Sequence, residues 1–461
     1  MQAPRFVTTH ISPSTSRDSR VGSGSSVLPA YLAVIAVNLI IVLLASLAGS
    51  GESIAMPYAM LSVGAGVVIF RHVVRVSGHL LTPLTLYVAV WMILIPSTAF
   101  AVPLMDEMSS EQIAVCAIFG IAFSAGGVLF GLHRYQPTSS KTFFGDVDHQ
   151  KRLARAASVL LVISIGAIAL NLLLEGRIAL FAAEGEDRKA AAHFVGYPIL
   201  SSLGSISIAV YAASRRASGR QVILSIVYIV LQLLTAQRFV AVVTLILAVV
   251  AFASVHELSR KNIRKVLLLV LAVLGVFVLV SLYRGGASDQ QMYFINTGLY
   301  GGDPVILQAT EILRYIGQSQ RNLTTVMERG FDVTSAGNFT LSPLTALFQE
   351  VPTGLGTSIH GYTANNVIAY LYSDFGTLWP FAVLGLALIA HASYYRMLSQ
   401  GSFASIFLWC VVSLGLATSF FAYVNAFTYW VLLFPLFAAL LESATRPSQP
   451  VAVAALSANY Y

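Results

Sequence analysis

Charge is what this chain has least of. Only 10% of its 461 residues are Asp, Glu, Lys or Arg, against about 25% in soluble globular proteins. With 57% hydrophobic residues, lipid rather than water is the solvent for most of the chain, and its length does not translate into a count of soluble domains. Cysteine is nearly absent. Cys116 and Cys410 both lie in apolar runs, where neither a disulfide across two spans nor a metal-ligand spacing is expected. They read as small buried hydrophobes. Also missing are a Walker A loop, GxSxG, HExxH and any DxD-like acidic pair in an outer loop. No metal and no cofactor are therefore expected.

What is present is a series of apolar runs. A membrane helix takes about 20 such residues. The runs fall at roughly 28–48, 54–70, 80–104, 112–132, 156–175, 195–213, 221–236, 239–255, 266–283, 376–395, 402–422 and 427–442. The pattern predicts an all-α, polytopic integral membrane protein of about 12 transmembrane helices with a large, partly helical periplasmic loop. Residues 1–26 are Ser-rich and read as a disordered cytoplasmic tail rather than a signal peptide, because no clean cleavage site follows the first run. Residues 27–283 hold helices 1–9 with a small periplasmic loop at 175–194. Residues 284–375 form the large periplasmic loop, 376–443 hold helices 10–12, and 444–461 form a second cytoplasmic tail.

The formal charge of +7 follows from topology, not from nucleic-acid binding. With the N-terminus inside, 19 of the 27 Lys and Arg residues fall in cytoplasmic segments, as the positive-inside rule asks. Inside clusters such as Lys151-Arg152-Arg155 and Arg260-Lys261-Arg264-Lys265 set orientation and meet anionic lipid. The outer basic residues run against the rule, and so invite a functional explanation: Arg177, Arg188, Lys189, Arg238, Arg284, Arg314, Arg321 and Arg329.

The large loop is the one long polar segment. Its four Arg stand against seven Asp and Glu, a net of −3. It carries both signs, as a site needs that binds an anion and also removes a proton. Asp303-Pro304 has the form of a helix start, and the helix runs to about Glu328. Val305, Ala309, Ile312, Leu313, Ile316, Leu323 and Met327 trace its apolar stripe. Glu311, Arg314, Gln318 and Arg321 share another face. Arg314 and Arg321 are either a diphosphate clamp, since guanidinium forks phosphate oxygens, or a solvated face of ion pairs. Further on, His360 lies among Gly354, Gly356 and Gly361. It is either a base for a sugar hydroxyl or a loop histidine bonded to backbone. Thr363, Asn365 or Asn366 caps a short helix that ends near Asp374-Phe375-Gly376. Asp374 either orients a base or caps at the interface. Arg238 sits between two short runs. A lone Arg at membrane depth costs about 2.5–3.5 kcal/mol on insertion scales; it either faces a phosphate at a cavity floor or snorkels to the interface.

TAQRFVAVV around Arg238 and HGYTANNVIAYLYSDFGTLWPF from His360 onward, in this order among many spans, resemble the Wzy-type O-antigen and oligosaccharide repeat-unit polymerases, relatives of the O-antigen ligases. The resemblance implies a metal-independent, inverting glycosyltransferase of the multi-spanning GT-C-like type in the bacterial inner membrane. It would move a growing glycan from undecaprenyl diphosphate onto a lipid-linked repeat unit, towards lipopolysaccharide O-antigen or exopolysaccharide. It implies diphosphate contacts from Arg238, Arg284, Arg314 and Arg321, chemistry at His360 and Asp374, and substrate contacts from Arg177, Arg188, Asn365 and Tyr370. Its partners would be the lipid-linked donor and acceptor, membrane lipid, a chain-length regulator and a flippase. The alternatives from the same residues are the ligase, and a transporter or flippase without chemistry. Concentration of polar residues in the loops rather than mid-span speaks against transport.

Overall fold

The computed structural model describes residues 27–48, 54–101, 108–131, 147–176, 178, 193–194, 196–214, 218–235, 238–256, 259, 261–268, 271, 275, 319, 323, 326–327, 339–340, 366–420 and 429–446. Among them the regular structure is helical, with no strand. The helices are α1 (Leu28–Leu47), α2 (Ala55–Ser77), α3 (Pro83–Ser97), α4 (Ser110–Phe130), α5 (Val147–Glu175), α6 (Tyr197–Ala213), α7 (Gly219–Leu234), α8 (Arg238–Val255), α9 (Val367–Phe375), α10 (Trp379–Gln400), α11 (Phe403–Thr418) and α12 (Phe434–Thr445). Residues 261–268 are also helical. Five helices are long and apolar enough to cross a membrane, the fifth being α9 and α10 taken together, and shorter apolar helices pack beside them. The described part of the chain is all-helical, and its long apolar helices are those of a membrane protein.

Local chemistry starts several of these helices. Ser109 and Gln112 form a capping box at α4, and Ser218 and Gln221 form another at α7. Thr82 and Thr85 do the same at α3, with Pro83 in the first turn. Each box satisfies N–H groups that the first helical turn leaves open. In α3 a π-helical stretch, Val88–Leu94, interrupts the α geometry. Gly66 of α2 faces Met92 and Ile93 there, and a Cβ at Gly66 would lie 2.9 Å from Ile93. Close approach of α2 thus accompanies the widened turn.

Several boundaries differ from those read in the sequence. α5 begins at Val147 rather than 156, because the segment around Lys151 and Arg155 continues the helix beyond its apolar part. α3 is confined to Pro83–Ser97. The short helix expected at the end of the large loop is α9, Val367–Phe375; a 3₁₀ turn (Gly376–Leu378) follows, and α10 begins at Trp379 rather than 376.

Among the described residues two large apolar cores result, with two small clusters beside them. One joins α5, α6, α7, α8, α11 and α12 around Tyr197, Tyr228, Phe407 and Trp409. The other joins α1, α2, α3, α4 and α9 around Trp91, Phe119 and Phe123, and takes in Leu323 and Val326. α10 belongs to both: Trp379, Val383 and Ala387 enter the second core, while Tyr394, Met397 and Leu398 enter the first. α6 is the central helix, with nearly every residue from Gly204 to Ala213 buried. α7 is peripheral: only Tyr228 and Gln232 are buried, and Val222, Ile223, Ile226 and Val230 face outward, as suits a helix against lipid.

α1, α4 and α10 meet around a buried pair. The Tyr31 hydroxyl lies 2.8 Å from His391 Nε2, and His391 Nδ1 lies 2.6 Å from the Ala387 carbonyl. The ring donates Nδ1–H to that carbonyl, so Nε2 accepts from the tyrosine. Gly127 makes room for both rings, since a Cβ there would lie 2.9 Å from His391 Nε2 and would overlap Tyr31. Gly64 has open space at the same position. Ala in place of Gly adds about 1 kcal/mol of helix propensity, but overpacking costs about 1–3 kcal/mol. Gly127→Ala is expected to lower the melting temperature of the detergent-solubilised protein, and Gly64→Ala to leave it level or raise it. Equal shifts in a thermal melt would refute this packing account.

Candidate functional site at the loop end of the bundle

The polar segments meet the bundle at one end. Thr445 near the end of α12 reaches His149 at the start of α5, 3.3 Å away. α5 and α12 therefore run antiparallel, and Glu175 lies at the end where α12 begins and α11 finishes. Ser201 of α6 contacts Gln232 of α7, which brings the start of α6 and the α7–α8 turn to that same end.

The large loop is fastened here through α9. Asn366 is its N-cap: the side-chain oxygen accepts from Ala369 N at 2.9 Å, and Nδ2 donates to the Ser319 carbonyl at 3.4 Å. The Val367 N–H donates to the Ser419 carbonyl at 2.8 Å, just beyond α11. Trp91 Nε1 donates to Ser419 Oγ, also at 2.8 Å. Asp374, near the end of α9, is 7% exposed. Its carboxylate accepts from Phe339 N (3.2 Å), Thr340 N (2.7 Å) and Thr340 Oγ1 (2.7 Å). Phe339 meets Tyr370 edge-on, with ring centroids 5.2 Å apart. Leu323 and Val326 bury themselves in the core beside Val367 and Ile368. Residues 319, 323, 326 and 327 are helical; the rest of the 303–328 helix expected from the sequence lies outside the described residues.

The sequence offered Asp374 two roles, orienting a base or capping at the interface. The geometry gives it a third: it tethers residues 339–340 to α9. With three donors on one carboxylate, its lone pairs are largely committed. Tyr370 stands in the same cluster, half-buried. Asn366, rather than Thr363 or Asn365, proves to be the cap.

A second polar group occupies the ends of α6, α7 and α8. The Tyr228 hydroxyl and Gln232 Nε2 both donate to the Ser201 carbonyl, each at 2.8 Å, and Ser205 Oγ lies 2.6 Å from Thr244 Oγ1. A carbonyl cannot donate, so the nitrogen of Gln232 must face Ser201. Three residues on, Thr235 ends α7. Arg238 opens α8; its side chain lies outside the described residues, as do Arg177, Arg188, Arg284, Arg314, Arg321, His360 and Asn365.

One cluster was not visible in the sequence. His193, after the first loop, places its ring Nε2 against Glu175 Oε2 at the end of α5. Its peptide N–H donates to Asn171 Oδ1 at 3.0 Å. The Glu175 side chain is 6% exposed and that of His193 34%. Asn171 is fully buried. A carboxylate–imidazole contact orients a ring for proton transfer, whatever else it does. The only sequence signal was a Glu ending one apolar run and a His opening the next. Among the described residues no group of His, Cys, Asp and Glu could hold a metal ion.

No family model, curated protein or solved structure matches this chain.

The tether makes a testable statement. A hydrogen bond to a charged group contributes about 1.5–3 kcal/mol, and Asp374 accepts three. Asp374→Ala is expected to speed proteolysis between residues 284 and 366 while the bundle stays folded, with Asp374→Asn in between. Unchanged cleavage rates in limited proteolysis would show that the tether does not hold the loop.

Proposed function

We propose that this chain is a membrane glycosyltransferase that polymerises undecaprenyl-diphosphate-linked oligosaccharide repeat units into O-antigen or exopolysaccharide. In this reading it crosses the bacterial inner membrane about 12 times, and the loop end faces the periplasm. The observation that carries the reading is the docking of a polar segment onto one end of an apolar helix bundle. α9, Asn366 and Asp374 hold that segment against the helices. A lipid-linked substrate has the matching division: an isoprenoid for the lipid, a diphosphate at the interface and a glycan in water.

The reaction asks for two things. The diphosphate leaves with negative charge, which fixed guanidinium groups stabilise in a site of low dielectric. Arg238 heads the candidates, with Arg284, Arg314 and Arg321 from the large loop and Arg177 and Arg188 from the small one. The attacking hydroxyl must also lose its proton. A histidine serves near neutral pH, and the sequence nominates His360. Asp374 enters as the residue that positions the loop. Direct displacement inverts the anomeric centre. The charge stabilisation comes from arginines, so no metal is required. The donor and acceptor are both lipid-linked, and a flippase must deliver them and a chain-length regulator act on the product.

Removal of the chain from its host should leave surface glycan with one repeat unit. Arg238→Ala, expressed at normal level, should give the same short product, with losses on the order of 10²-fold in transfer as for a single lost oxyanion donor. Long chains on gels from the Arg238→Ala strain would remove Arg238 from the site. Purified protein should elongate a lipid-linked repeat unit at the same rate with and without a chelator of divalent cations; strict dependence on a divalent ion would sink the metal-free reaction.

A further inference from the structure

The small loop at the end of α5 holds a pair that the proposed reaction can use. Asn171 and Glu175 are four residues apart on α5, and so on one face of the helix. Both act on His193. Asn171 fixes its backbone through the peptide N–H, and Glu175 takes the ring at Nε2. Phe194 then packs into the core and meets Tyr197 at 5.5 Å between centroids. The histidine is therefore held on both sides by rigid helices, not carried by a free loop.

The chemistry of the contact fixes the tautomer. Glu175 as a carboxylate only accepts, so Nε2 carries the proton and donates it. Nδ1 keeps its lone pair. Among the described residues no hydrogen bond reaches Nδ1, and about a third of the His193 side chain is open, at 34%. Glu175 is closed off at 6%. A part-exposed imidazole oriented by a buried carboxylate at one nitrogen, with its other nitrogen bonded to nothing among the described residues, is the arrangement of a general base. Ser201 of α6 bonds to Gln232 of α7, so the α6 start that follows His193 lies at the end of the bundle where α7 gives way to α8.

We propose that His193, backed by Glu175, is the base that deprotonates the acceptor sugar hydroxyl. This rests on the glycosyltransferase reading and takes the place of His360 in it. As the acceptor oxygen attacks the anomeric carbon, its O–H bond breaks and the proton passes to Nδ1. The new C–O glycosidic bond forms while the bond from the anomeric carbon to the diphosphate oxygen breaks. The diphosphate leaves with that electron pair. Glu175 faces the resulting imidazolium, which returns its proton to water at the exposed edge.

The test uses the full-length protein in lipid nanodiscs with undecaprenyl-diphosphate-linked repeat units extracted from cells lacking the chain. His193→Ala should lower kcat by about 10²–10⁴-fold, the usual share of a general base, with KM nearly unchanged. Added imidazole should restore part of the loss. Glu175→Gln should lower kcat less, and His72→Ala, at an exposed histidine of α2, should have no effect. A His193→Ala enzyme with wild-type kcat overturns the assignment. So does a kcat loss that imidazole fails to repair and that comes with an equal fall in melting temperature, because the pair is then only a clasp on the loop. Wild-type protein that transfers nothing overturns the glycosyltransferase reading itself, which separates the two failures.

Discussion

An N–H or C=O group in the hydrocarbon of a bilayer has no water to turn to, so each must find its partner within the protein. Helices meet this requirement along their length and leave it open at their ends. Much of the polar chemistry of this chain therefore gathers at helix ends. Thr82, Ser109, Ser218, Asn366 and Ser402 close the first turns of their own helices. Other ends are closed by a neighbour. Glu442 of α12 accepts the Ala404 N–H of α11 at 2.7 Å and pairs with Arg446 at 3.0 Å. Asp374 does for residues 339–340 what Glu442 does for α11. Among the described residues a buried carboxylate thus accepts backbone N–H groups in two places, once to join two helices and once to dock a loop.

The same constraint explains what could be read in the sequence. Apolar runs report where lipid is, and the runs around α1, α4, α6, α7 and α8 return as helices within a few residues. Arg238 was placed between two short runs and stands at the turn from α7 to α8. Asn366 was among three capping candidates, since an Asn before an apolar run has a local mechanism. The misses are of another kind. Hydropathy stops at the lipid boundary, whereas α5 continues back to Val147 through a charged turn. The π-helical stretch in α3 accompanies its packing on Gly66, a residue of another helix. Glu175 and His193 lie 18 positions apart, a separation with no period. Their meeting depends on how α5 and α6 pack, and so no local rule could have found it. Periodicity and capping are written in neighbours; closure between helices is not.

For the proposed reaction, the decisive property is how the proton side and the anion side are held relative to each other. A misplacement of an ångström at a reacting centre is costly to rate. Loops alone hold such distances poorly, and sites on helices hold them better. Here His193 leads within four residues to the start of α6, while Arg238 is the first residue of α8 and follows closely on α7. α6 and α7 are joined by Tyr228 and Gln232, which share the Ser201 carbonyl. α6 and α8 are joined by Ser205 and Thr244. Gly204 lets the Tyr228 ring lie against the α6 backbone, where a Cβ would overlap it. These bonds are worth more as rulers than as stability. Among apolar contacts that tolerate sliding, directional hydrogen bonds between buried side chains fix register. The buried network beneath the loop end thus sets the spacing of the two α-helical termini on which the proposed base and the proposed anion contact stand.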